Sequence, residues 1–134
     1  MQSEFSIEWK GMAQETVDVE ALCNGDRELA EALKRGLFLN PGRLSTSMDD
    51  LTGLANRLEQ KGDKLLARVN YETVGRLALM KGDTDAVRRY FSKSAELEVD
   101  EHLRNVFETL AAKPEEAVNA AKKYYQKTQP ESQK

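Results

Sequence analysis

One cysteine, one histidine, one tryptophan and three prolines are all that the 134 residues contain of those four types. The single thiol, Cys23, closes no internal disulfide, which excludes a cystine scaffold and makes a reducing, cytoplasmic compartment the expectation. With His102 as the lone histidine, a zinc site built from His and Cys within one chain is all but excluded. Long apolar runs are missing too. The longest uncharged stretch near the middle is residues 36–42, far short of the roughly 20 apolar residues a spanning helix needs. Glu4 and Glu8 precede any lysine and no apolar run follows, so no signal peptide is expected. Val and Ile are scarce, which argues against a parallel-sheet enzyme, and Gly and Pro are too few for a collagen-like or Pro-rich chain.

Charge of one sign is also lacking. Twenty basic against 23 acidic side chains leave a net −3, and the acidic excess lies in residues 1–40. The densest basic spots, Arg88-Arg89 and Lys122-Lys123, are single pairs. A nucleic-acid binder needs a more concentrated positive surface to displace counterions, so no nucleic-acid partner is expected.

What is present is helix-forming. Ala, Leu, Glu, Lys and Arg make up about half the chain. Ser47 and Asp50 have capping-box spacing, and Leu51, Leu54, Ala55 and Leu58 recur on one face of a helix ending near Lys61. Gly62-Asp63 punctuates the chain. A helix over 64–80 then places Leu66, Val69 or Asn70, Thr73 or Val74, Leu77 and Met80 on its stripe. Gly82-Asp83 ends it, and Asp83 or Thr84 caps a helix over 84–98. Asp100 caps another to Ala112, and Pro114 with Glu115 and Glu116 opens a last one to about Lys127. Earlier, helices are predicted near 13–24 and 27–38, broken at Asn24-Gly25-Asp26, with a turn at Asn40-Pro41-Gly42. Phe5, Ile7 and Trp9 alternate as in a strand, while Phe5, Trp9, Met12 and Thr16 also fit a helix; residues 4–10 stay open between the two. The fold predicted is all-α, with six to seven helices arranged as antiparallel hairpins. A single domain spans 1–127, and 128–134 is a frayed polar tail.

The segment from Leu79 to Val87 has an echo 31 residues later, from Leu110 to Val118. Within residues 68–99, Tyr71, Val74-Gly75, Lys81-Gly82-Asp83, Phe91 and Ala95-Glu96-Leu97 fall where the tetratricopeptide repeat has its large aromatic, Leu-Gly pair, inter-helix turn, second-helix aromatic and helix ending. This segment resembles that helix–turn–helix family, with 100–127 as a degenerate copy lacking the Gly-Asp turn. Ala78, Val87, Ser94 and Val99 depart from its pattern. The resemblance implies stacked hairpins with a concave groove; an ordinary helical bundle using Gly-Asp helix ends is the alternative. Gly75 would let the second helix approach the first, Gly82 would take the left-handed conformation, and Phe91 would fill the space between units.

No catalytic constellation stands out. His102 has no nucleophile signature beside it. Glu15, Asp18, Glu20, Asp26 and Glu28 lack the order of a calcium loop, and Gly36 and Gly42 flank no phosphate-loop Lys-Ser or Lys-Thr pair. The expectation is a protein that is not an enzyme, holds no cofactor or metal, and binds a peptide or partner protein. The resemblance makes Val69, Glu72, Arg76, Leu79 and Met80 the candidate groove residues. Arg76 would take a peptide carboxylate, or Glu72 and Arg76 would simply pair at i and i+4. The family's carboxylate-clamp Lys and Asn are not reproduced. A homo-oligomeric bundle, joined through an arm carrying Phe5 and Trp9, is the second reading, and a helical nucleic-acid-binding regulator the third. Phe38 and Leu39 share with that arm the need for a covering surface.

Overall fold

The structure, a computed structural model, describes residues 18–37 and 47–128. The strand-or-helix alternative at 4–10, the Asn40-Pro41-Gly42 turn, the positions of Phe5, Trp9, Phe38 and Leu39, and the tail beyond Thr128 lie outside the described residues.

Seven helices account for the described chain: α1 (Val19–Leu22), α2 (Arg27–Leu37), α3 (Met48–Gln60), α4 (Lys64–Lys81), α5 (Thr84–Leu97), α6 (Glu101–Ala112) and α7 (Pro114–Thr128). The all-α prediction holds, and among the described residues there is no strand. None of these helices is long and apolar enough to cross a membrane.

The helices begin where the sequence supplies a side-chain acceptor. The Ser47 hydroxyl accepts the Asp50 N–H at 3.1 Å. Carboxylates of Asp63, Asp83 and Asp100 accept N–H bonds from Leu66, Ala86 and Leu103 at 3.2, 3.1 and 2.8 Å. Each cap satisfies a donor the helix cannot, and is worth about 1 kcal/mol. Of the two residues proposed to cap α5, Asp83 does so and Thr84 is the first helical residue. Gly82 ends α4 with φ 78°, a left-handed conformation that a Cβ would disfavour. Asn24, with φ 56°, makes the break between α1 and α2.

From α3 to α6 each helix packs on the next, joined by links of two or three residues that force antiparallel neighbours. Helix α7 leaves this series. It folds back across α4 and α5 and touches α6 only slightly, so the two helices of 100–127 barely pack on one another. Helices α1 and α2 then dock on α6 and α7.

The main core centres on Phe91, Phe107, Leu110, Val87, Leu29 and Leu33, all fully buried. The Phe91 and Phe107 rings stack at 6.1 Å. Gly75 makes room for this stack, since a Cβ there would lie 2.8 Å from Phe91 Cε2. The expected roles of Gly75 and Phe91 thus appear in one contact. A smaller cluster joins Ala55, Ala67 and Tyr71 to Leu58, Tyr90 and Leu97.

The stripe expected on α4 is displaced around the helix. Val74 and Leu77 of that stripe are buried, but Leu66, Val69 and Met80 remain exposed, and Ala67, Tyr71 and Ala78 beside it are buried instead. Three neighbours, α3, α5 and α7, contact α4. Its buried sector is therefore wider than one stripe and is centred by packing rather than by hydropathy.

Candidate functional site

Two features of α4 compete for attention, and the five predicted groove residues divide between them. Arg76 and Leu79 are only 3% exposed each, so the expectation of an open groove around them is corrected. Their half of α4 is the half buried in the fold, and Arg76 feels Tyr125 of α7 closely enough to lower the tendency of that phenol to stay protonated. Burial outweighs this effect and pushes the Tyr125 phenol up. Val69 and Met80 do remain accessible, and Glu72 is mostly buried.

The first feature is a buried charged seam. Arg68, Glu72 and Arg76 follow one another at intervals of four, on one face of α4. Arg68 Nη1 donates to Glu72 Oε1 at 2.7 Å, and Arg76 Nη2 donates to Glu72 Oε2 at 3.3 Å. The pairing alternative for Glu72 and Arg76 is thus the one that the structure displays. Arg68 Nε also lies 2.8 Å from Glu98, in the link between α5 and α6, as an ion pair without hydrogen-bond alignment. The guanidinium of Arg68 lies over the Phe107 ring and that of Arg76 over Phe91, at 5.5 and 5.2 Å. Charge neutralisation and aromatic faces let both cations remain in the interior. This seam ties three helices together and offers no opening to a ligand.

A second polar cluster fixes α3 to α4 and α5. Tyr71 donates to Glu59 Oε1 at 2.9 Å and touches the Asn56 amide. Lys93 Nζ reaches Glu59 Oε2 at 3.0 Å and lies over the Tyr71 ring. Burial, then the bond to Glu59, pushes the Tyr71 phenol up to about 12. The Glu59 carboxyl is held below its ordinary value, first by the Lys93 bond and then by Tyr71. A third contact joins distant parts of the chain: Lys113 Nζ donates to Asp26 Oδ2 at 2.7 Å, with Glu28 3.9 Å away.

The second feature is apolar and exposed. Leu65 is 64% exposed, Leu66 47% and Val69 39%. These three share the outward side of the first turns of α4, and Leu54 on α3 is also exposed. At the same end of the hairpin stand Lys61 and Lys64, both exposed and without an ion pair among the described residues, while the exposed Arg57 turns its Nη1 back along α3 against Gly53. Leu65 was not anticipated as a surface residue. Its only sequence signal is a Leu-Leu pair directly after the Asp63 cap, where one of two adjacent leucines must leave the buried sector.

An open cleft of about 910 Å³ runs between α5 and α6, lined by Arg88, Ser92, Ala95, Glu96, Val99 and Arg104 among others. Arg104 is already engaged, donating to the carbonyls of Glu98 and Val99 at 3.1 and 3.3 Å. His102 is exposed on α6. Cys23 is buried, and that burial pushes its thiol up, in keeping with an apolar filler. No group of three or more His, Cys, Asp or Glu residues is placed to hold a metal among the described residues. No family model, curated protein or solved structure matches this chain.

Proposed function

We propose that this chain is a non-catalytic protein-interaction module that binds a partner protein or peptide through the apolar edge at the start of α4. The observation that carries the reading is the exposure of Leu65, Leu66 and Val69 side by side on an ordered helix. Isolated surface leucines need no explanation, but adjacent ones rimmed by charge mark an interaction site. The resemblance of 68–99 to a tetratricopeptide hairpin supports the same reading, because that family works by presenting helix surfaces to other proteins. The contact surface proposed here is the open edge of the hairpin, in place of a groove around Arg76.

A photocrosslinking side chain at position 69 tests this directly in the source cell. Adducts from position 69 that disappear with Leu65→Lys, and none from position 102, are the expected outcome. Equal yields from both positions remove the proposal. A second reading, self-association, draws on the same edge, because α3 packs mainly on α4, with a lesser contact to α5, among the described helices. A two-fold pairing of that edge would double the mass in solution and lose the doubling with Leu65→Lys.

A further inference from the structure

The edge has a chemical preference that follows from the charges around it, and the inference rests on the reading just proposed. The apolar centre is Leu65, Leu66 and Val69. Lys61 from the α3–α4 link and Lys64 from α4 stand at the same end of the hairpin, both exposed. The carboxylates at that end are committed elsewhere. Glu59 holds Lys93 and Tyr71. Asp63 caps α4 through the Leu66 N–H. Glu98 pairs with buried Arg68, and Glu96 faces the cleft between α5 and α6. The first turn of α4 contains no acidic residue, although the helix N-terminus favours one. Among the described residues, no carboxylate meets the cationic charge of this rim.

We infer that the partner is an acidic amphipathic helix, laying leucine-type side chains at i, i+3, i+4 and i+7 on Leu65, Leu66 and Val69 while its carboxylates meet Lys61 and Lys64. Helix-in-groove recognition uses this spacing, and complementary charge fixes partner choice and speeds encounter. Two cations fall below the four to eight that mark an anionic-lipid surface, which favours a protein helix over a membrane. Three apolar anchors place the contact among small, transient interfaces.

The test uses the full chain and a fluorescein-labelled 18-residue peptide with Leu at the four anchor positions and Glu elsewhere. A counterpart carries Lys in place of Glu, and anisotropy reads binding. The acidic peptide is expected to bind about tenfold more tightly than the basic one, and to lose that advantage in 0.5 M salt. Leu65→Ser with Val69→Ser should abolish binding with the circular dichroism spectrum unchanged. Lys61→Glu with Lys64→Glu should reverse the peptide preference. Equal, leucine-dependent binding of both peptides overturns the charge assignment while leaving the interaction edge intact. Binding indifferent to Leu65→Ser and Val69→Ser overturns both. The inference also fails if neither peptide binds. It fails equally if binding appears only after Phe5→Ser and Trp9→Ser, which would make the chain's own first residues the occupant. Leucine-dependent capture by phosphatidylserine vesicles without peptide binding replaces the helix with a membrane.

Discussion

Helix α4 keeps charge inside and leucine outside. Arg68 and Arg76 are 8% and 3% exposed, whereas Leu65 is 64% exposed on the same helix. The arginines remain in the interior because each is matched: by Glu72, by Glu98 in the case of Arg68, and by an aromatic ring beneath each guanidinium. The leucines remain outside because no described helix covers the first turns of α4 on that side. The difference teaches that residue type alone does not decide which parts of this helix are structural and which are available. A buried charge with its partners is part of the scaffold, and an exposed apolar side chain without a cover is a surface for something else.

The strongest way to break the comparison is at the aromatic support of the seam. Phe107→Ala removes a fully buried ring that stacks on Phe91 and lies under Arg68. Chemical denaturation should show a loss of about 4 kcal/mol. Glu72→Ala comes next, since it removes the carboxylate that both buried arginines contact. The expected loss is about 3 kcal/mol. A loss under about 0.5 kcal/mol would show that the seam is incidental to stability.

Alkaline titration asks the same question of the neighbouring Tyr71 cluster. The folded state holds this phenol protonated to about 12 against an ordinary value of 10.0. Because folding raises the value, its contribution is fully present below pH 10 and is lost as pH rises through 12. Phenolate absorbance should therefore show a late step that Tyr71→Phe removes. The smallest effect belongs to the edge: Leu65→Ser should move the thermal midpoint by no more than about 0.5 kcal/mol allows. A larger shift would mean that Leu65 is part of the core after all.

Much of the architecture was legible because it is local. Ser47, Asp63, Asp83 and Asp100 mark helix starts through contacts within three residues, Pro114 marks one as the first helical residue, and Gly82 marks an end through its own backbone. The sequence marks Gly75 for a close helix approach and Phe91 as a space-filling aromatic, but that the one makes room for the other appears only in the structure. The buried face of α4 was not legible. Its burial depends on α7 returning across α4 and α5, a contact between elements more than thirty residues apart that no periodicity encodes. Arg76 was accordingly read as a surface cation, and Leu66 as part of the core stripe. Arg68 and Glu98 went unnoticed for the same reason: thirty residues separate them, and each alone has the composition of a solvated face.

The contact between Asp26 and Lys113 has a consequence for the order of events in synthesis. The segments it joins are 87 residues apart, and α1 and α2 lean on α6 and α7 rather than on the helices that follow them directly. A ribosome makes α1 and α2 first, yet it must deliver residue 113 before Asp26 has a lysine to meet. Among the described helices, the contacts of α1 and α2 with α6 and α7 can form only after the entire α3–α6 series has been made.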